Sequence, residues 1–265
     1  MTAIAVTIAG SDSSGGAGVQ ADLKTFSALG VYGGSVIAAL TAQNTKGVTG
    51  IHDVPPSFVT AQIDAVFSDL AVNAVKIGML SNVATIAAVA EGLTRHAQRN
   101  VVLDPVMVAT SGDRLLAPDA VESLCRLLIP KAVVLTPNLP EAAALLGVTI
   151  AQDEAQMREQ GQRLLALGAR SVLMKGGHGS GVESVDLLIE QQGVIRLPGP
   201  RFDTRNTHGT GCTLSSAIAA GLAKGLALHA AVESAKSYVT TAIGAADRIQ
   251  IGTGHGPVHH FNRWW

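Results

Sequence analysis

Apolar residues follow two rhythms along this chain. Short uninterrupted runs at Ala3–Ala9, Ser35–Leu40, Ala74–Ile77, Val101–Leu103, Ala132–Leu135, Ser171–Met174 and Val185–Ile189 are β-prone and mostly lack polar alternation. Such runs suit strands covered on both faces. Between them, helical spacing occupies Gly18–Leu29, Ser57–Leu70, Val83–Ala97, Pro118–Leu128, Pro140–Leu146 and Glu154–Leu167. Two further helices are expected at Gly211–Lys224 and His229–Arg248. The alternation predicts an α/β fold, doubly wound, with a mainly parallel sheet and helices on both faces. No linker, repeat or low-complexity segment breaks it, so residues 1–265 read as a single domain.

Composition narrows the function. Apolar residues make up 47% of the 265 and charged residues only 15%, enough for a large core. Lys plus Arg is 19 against 20 for Asp plus Glu, so no basic excess exists to bind a nucleic-acid backbone. Aromatics at 3% also speak against base-stacking surfaces. No apolar run nears the ~20 residues of a membrane span. Met1–Gly10 has no basic segment before its apolar stretch, so no secretory signal is expected. Cys125 and Cys212 cannot build a disulfide framework or a four-cysteine zinc site, which points to the cytoplasm.

A parallel sheet of this kind binds ligands beyond the carboxyl ends of its strands. The residues there are Gly10-Ser11-Asp12, Thr41-Ala42-Gln43-Asn44, Gly78-Met79, Asp104-Pro105-Val106, Thr136-Pro137-Asn138 and Lys175-Gly176-Gly177. Turn chemistry explains the Gly and Pro. It does not explain Asp104, Asn138 and Lys175 together.

The run from Gly10 to Gly18 is a glycine-rich loop between strand and helix, a place where backbone N–H groups can meet an anion or polar ligand. Its match to a dinucleotide fingerprint, Gly16-Ala17-Gly18-Val19-Gln20-Ala21, is discounted, since no acid lies at the expected place near Thr41–Lys46. Asp22 shares an apolar helix stripe with Val19, Leu23 and Phe26, and a carboxylate facing a core needs a partner. A ligand contact is favoured over a structural bond.

Asn206-Thr207-His208-Gly209-Thr210-Gly211-Cys212-Thr213 is the most informative stretch. Two glycines at a helix start let N–H groups approach a phosphate. Cys212 falls in the first turn, where the helix dipole is expected to lower its pKa and make it a base or nucleophile. Cys125, on a stripe with Val121, Leu124 and Leu128, looks like an ordinary buried thiol. Asn138 and Glu141, three apart, suit either Mg²⁺ through waters or a capping box, and spacing does not choose. Lys175 suits a phosphate clamp, with a solvated loop lysine as the bland alternative. His255, His259 and His260 are read as surface histidines rather than a metal site. No P-loop and no G-x-S-x-G elbow occurs.

Taken together, these motifs resemble the ribokinase-like family of ATP-dependent small-molecule kinases. Within it they are most similar to the bacterial hydroxymethylpyrimidine/phosphomethylpyrimidine kinases of thiamine biosynthesis. The resemblance is carried by Gly10–Phe26, Leu40–Lys46, Lys76–Leu80, Leu103–Val106, Thr136–Leu145, Val172–Gly177, Asn206–Ser215 and Gly256–Phe261, and so runs from end to end. It implies two phosphorylations by ATP, of 4-amino-5-hydroxymethyl-2-methylpyrimidine and then of its monophosphate. It further implies that Gly10, Ala17, Asp22, Gln43, Met79 and Val106 contact the pyrimidine. Asp104, Asn138 and Glu141 would serve Mg²⁺ and the phosphates. Asn138, Lys175 and His208 would bind the nucleotide, with the turn Gly209, Thr210, Gly211 as the anion hole and Cys212 as the base. A homodimer is implied as well.

Sugar kinases of the wider family carry Asp where this chain has Cys212. A thiol must first be ionised, so the base assignment rests on less than the site assignment does. Asp22 and Gln43 offer a carboxylate and an amide that suit an aminopyrimidine edge. A pyridoxal or pyridoxine kinase of the same fold is the rival enzyme. A non-catalytic pyrimidine- or nucleotide-binding regulator is the rival from another class, and it would not need a base beside an anion hole.

Overall fold

In a computed structural model, residues 2–107, 115–117, 119–177 and 183–265 are described. The strands are β1 (Ile4–Gly10), β2 (Tyr32–Asn44), β3 (Gly47–Asp53), β4 (Ala74–Ile77), β5 (Val101–Leu103), β6 (Val134–Leu135), β7 (Val172–Met174), β8 (Asp186–Glu190) and β9 (Gly193–Leu197). The helices are α1 (Gly18–Ala28), α2 (Pro56–Asp69), α3 (Val83–Arg95), α4 (Ala120–Leu127), α5 (Leu139–Leu146), α6 (Glu154–Leu165), α7 (Thr210–Ala223) and α8 (Leu228–Gly244). The Pro118 start expected for the fourth helix lies outside the described residues.

All described strands join one sheet in the order β3-β2-β1-β4-β5-β6-β7-β8-β9. From β2 to β7 neighbouring strands run parallel, while β3, β8 and β9 are added by antiparallel pairing. Both faces are covered, as the unbroken apolar runs require. Val6, Ile8, Val75, Ile77, Val101 and Leu103 face a core shared with α2 to α6. Ala5, Ala74, Val102 and Leu173 face the other core, shared with α1, α7 and α8. Neighbouring residues on a strand thus serve opposite layers.

The expected second strand is longer than its apolar run, because it continues past the end of β1 as a hairpin with β3. Most of that hairpin and of β9 is exposed or half-buried, so no apolar run announces them. Their stability comes from ladder hydrogen bonds along the sheet edges.

One polar layer interrupts the second core. Thr7 on β1 pairs in register with Lys76 on β4, and both point toward α1 and α7. There Asp22 of α1 receives hydrogen bonds from Thr7 Oγ1 at 2.6 Å, Ser216 Oγ at 2.6 Å and Lys76 Nζ at 2.9 Å on each oxygen. Lys76 and Asp22 are both 0% exposed. A buried ion pair needs further hydrogen bonds to survive, and Thr7 and Ser216 supply them to the carboxylate.

Candidate active site

The carboxyl ends of β1, β4, β5, β6 and β7 open onto a cavity of about 590 Å³. Three of its stretches matter chemically.

At one end lie Gly10, Ala17, Gln43, Met79 and Val106, the residues expected to hold the ring. The Gln43 side chain accepts a hydrogen bond from Thr41 Oγ1 at 3.1 Å, which orients the amide. Asp22 corrects the sequence expectation. It does not line the cavity; its oxygens are turned inward onto Thr7, Lys76 and Ser216, and Lys76 stands on the wall instead. Burial favours the neutral amine at Lys76, but Asp22 outweighs it and raises the pKa, so the group is an ammonium.

The middle of the cavity is the head of α7. Gly209 caps the helix with φ of +78°, and Gly209, Thr210, Gly211 and Cys212 line the wall. Among the described residues no acceptor is recorded for the Gly211 and Cys212 N–H groups. Free amides at a helix start attract an anion. A side chain at Gly209 would place its Cβ 1.9 Å from the Gly16 carbonyl oxygen, so two glycine-rich loops interlock there.

His208 is buried and sits behind the turn. Its Nε2 meets Asp12 Oδ2 at 2.7 Å. Asp12 also accepts from the amides of Ser14, Gly16 and Ala17 and from Ser14 Oγ. Burial works against the Asp12 charge, yet His208, Ser14 and the Ala17 amide hold its carboxyl well below the usual range. His208, expected to bind the nucleotide phosphates, lines the cavity and gives its Nε2 to Asp12, which ties the anion turn to the first loop.

Cys212 reverses one expectation. Burial pushes its thiol up to about 11, with Lys76 and the Gly18 amide pulling the other way and Asp22 and Asp104 adding to the rise. Desolvation outweighs the helix dipole.

Opposite the turn, Lys175 Nζ lies 2.8 Å from Asp104 Oδ1 and 3.7 Å from Glu141 Oε2. Burial alone would lower the Lys175 pKa, but the two carboxylates raise it. Burial likewise opposes ionisation of Asp104, and Lys175 and Lys76 outweigh it. Burial pushes the Glu141 carboxyl up to about 7, against the pull of Lys175. Asn138 and Glu141 form a reciprocal capping box at α5: Oδ1 accepts the Glu141 amide at 2.8 Å, and Oε2 accepts the Asn138 amide at 2.7 Å. The Asn138 side-chain oxygen is thus occupied by the helix rather than offered to a metal, although the residue lines the cavity.

The far end was not read from the sequence. Ser184, Asp186, Pro200, Arg201, Phe202, Thr240 and Ile243 line it. Lys236 Nζ reaches Asp186 Oδ2 at 2.7 Å, and Arg201 donates to the Gly177 and Glu183 carbonyls. These residues come from β8, from the segment after β9 and from α8, and carry no compact motif.

Of the terminal histidines, His255 is exposed as expected, while the other two differ. His259 and His260 are buried, and His260 Nε2 lies 3.1 Å from Thr213 Oγ1. His208 pairs with Pro257, so the last segment straps the anion turn from behind. Among the described residues no group of three or more His, Cys, Asp or Glu could hold a metal.

An anion turn heading a helix, a lysine clamped by two carboxylates and an unbroken cavity along the strand ends define a kinase of the ribokinase-like class. Known proteins agree. A model of the phosphomethylpyrimidine kinase family matches residues 12–259, and the chain belongs to that family. It is 63% identical over 265 residues to the hydroxymethylpyrimidine/phosphomethylpyrimidine kinase of Rhizobium meliloti, covering 100% of this chain and 99% of that one. Its fold is similar to the phosphomethylpyrimidine kinase of Clostridium difficile, with TM-score 0.80, 47% identity and coverage of 91% and 99%. An ADP complex of Bacillus subtilis pyridoxal kinase gives TM-score 0.91 at 36% identity, covering 98% of each chain.

Proposed function

We propose that this chain, as a single kinase domain, transfers the terminal phosphoryl group of ATP to 4-amino-5-hydroxymethyl-2-methylpyrimidine and then to the resulting monophosphate, in thiamine biosynthesis. One observation carries the reading. A single cavity joins the Gly10–Val106 end, an anion turn and the Asp186–Ile243 end, so acceptor and nucleotide can meet at Gly209–Gly211. Gly10, Ala17, Gln43, Met79 and Val106 hold the ring. The amides of Gly211 and Cys212 take the developing charge on the transferring group, and Lys175 neutralises the nucleotide phosphates.

Mg²⁺ fits this set in part. Asp104 and Glu141 are two clustered carboxylates, while the Asn138 oxygen is spent on its helix. Two carboxylates suit a magnesium ion that keeps its waters and takes further ligands from phosphate. Bound there, it would supply charge neutralisation on the phosphates. Cys212 is the residue nearest in role to a base. Its thiol stays protonated at neutral pH, so it takes the acceptor's proton only from the small thiolate fraction that Lys76 favours. A loose transition state tolerates so weak a base when positioning is good.

The two unpaired cysteines fit a reducing cytoplasm. Among the described residues no helix is long and apolar enough to cross a membrane. The β2–β3 hairpin exposes Leu40 and Ile51, 46% and 42% accessible, and supports a homodimer formed through that edge.

The test is ATP with the hydroxymethylpyrimidine, followed by product mass over time. Addition of one and then two phosphoryl groups is expected. Faster turnover of pyridoxal in a parallel assay would replace this reading with the pyridoxal kinase one.

A further inference from the structure

The two proposed reactions present different acceptors to one cavity. In the first, the nucleophile is a neutral hydroxyl, whose O–H bond must break as the new P–O bond forms and the bond to the ADP oxygen breaks. In the second, the nucleophile is an oxygen of the acceptor's own phosphate. That group has its second pKa near 6, so near pH 7 and above the attacking oxygen carries no proton. The first acceptor needs a proton acceptor. The second needs a cation, because an anion entering a water-poor cavity is costly unless paired.

Among the described residues four lysine and arginine side chains line the cavity, and three lie toward the nucleotide: Lys175 with Asp104 and Glu141, Lys236 with Asp186, and Arg201 with the Gly177 and Glu183 carbonyls. Lys76 is the fourth, and among these described residues it lies nearest in the chain to the ring contact Met79. It sits on β4, two residues before Gly78 and three before Met79, and its ammonium is held from below by Asp22. Asp22 is bonded in turn to Ser216, one helical turn after Cys212 on α7, which places the ion pair beneath the anion turn. A lysine ammonium has three donors. Among the described residues its recorded acceptors are the two Asp22 oxygens. A Cβ at Gly78 would fall 2.7 Å from Nζ and 3.0 Å from the Ala9 Cβ, so a side chain there would crowd the ammonium. Asp22 is off the wall and Lys76 is on it, so the pair, though buried, turns its positive member toward the cavity.

We propose that Lys76, fixed by Asp22, is the cation that receives the acceptor's phosphate in the second phosphorylation, while Cys212 serves the first. This rests on the two-step reading above. It divides the labour between two groups within one cavity.

The experiment supplies the alcohol and the monophosphate separately, with ATP, to the full chain, and compares kcat/KM for the two. In Lys76→Met/Asp22→Asn, which removes both charges together, the ratio of second-step to first-step kcat/KM falls at least about 30-fold, the size of a lost charge-assisted bond. Calorimetry without nucleotide shows the monophosphate losing affinity by more than the alcohol does. In Cys212→Ser the ratio moves the other way. Gly78→Ala keeps the buried pair and crowds the ammonium, and its ratio falls by at least about 5-fold, part of a charge-assisted contact. Equal losses in both steps in either Lys76→Met/Asp22→Asn or Gly78→Ala overturn the proposal, as does undiminished monophosphate binding. A wild-type chain that phosphorylates neither acceptor overturns instead the two-step reading.

Discussion

Gly209→Ala asks whether the anion turn is set by the interlock of the two glycine-rich loops. The native residue has φ of +78°, where an added Cβ costs about 1–2 kcal/mol by itself. The new methyl would also stand 1.9 Å from the Gly16 carbonyl oxygen and 2.9 Å from the Gly16 carbon. An ordinary carbon–oxygen contact is about 3.3 Å or more, so the loops must part by roughly 1.4 Å. They cannot part freely, because His208 is held to Asp12 at 2.7 Å and its amide donates to Gly256 at 3.0 Å. The displacement therefore falls on the amides of Gly211 and Cys212. A misplacement of about 1 Å costs on the order of 100-fold in rate. We expect kcat/KM for ATP to fall by about that factor, and Tm to fall by roughly 4–12 °C for a loss of about 2–3 kcal/mol. Steady-state kinetics and calorimetry measure the two. Gly225→Ala is the control: it has φ of +82°, but nothing lies within 4 Å of its Cβ. It should lose stability modestly and keep its rate. A Gly209→Ala enzyme with rate and Tm equal to those of the Gly225→Ala control would refute the interlock.

Three further outcomes are expected. In a Cys125→Ala background, alkylation of Cys212 by iodoacetamide should climb about tenfold per pH unit from pH 7.5 to 10, since the thiol titrates at about 11; a plateau near pH 8 would show an activated thiolate instead. Asp12→Ala strands the amides of Ser14, Gly16 and Ala17 together with His208, and should cost about 3 kcal/mol or more in denaturant unfolding; a loss under 1 kcal/mol would contradict that. Burial pulls the His260 pKa down from 6.5 to about 3, so the unfolded chain binds the extra proton first and stability is lost as pH falls from 6.5 toward 3. At pH 5 this one group accounts for ~2 kcal/mol, and His260→Gln should flatten that part of the stability profile.

Residues near one another in the chain were the ones whose roles could be read directly. The strands at Ala74–Ile77 and Val101–Leu103 match their runs residue for residue, because both are buried on both faces; Lys76, the charged position in the first, is tolerated there through its pairing with Asp22. The stripe on α1 correctly turned Asp22 inward, but its partner Lys76 lies 54 residues on, and no local spacing reveals such a pair. That is why a carboxylate on the core side was mistaken for a ligand contact. Asn138 and Glu141 were undecided between cap and metal, and the hydrogen bonds settle the cap. Cys212 was placed in the right turn with the wrong sign of pKa shift: a helix start is visible in sequence, whereas the degree of desolvation belongs to the assembled cavity. The nucleotide end draws on β8 and the residues before it, on α8 and on the segment between β9 and α7, elements far apart in the chain whose few residues each form no joint pattern.

The strap behind the anion turn also bears on the order in which the protein is made. Residues 206–213 leave the ribosome well before Gly256 and Val258, whose backbone bonds hold His208 in place. A nascent chain can therefore display the phosphate-binding sequence while its cradle is still unformed, and competence arrives only when the last segment docks.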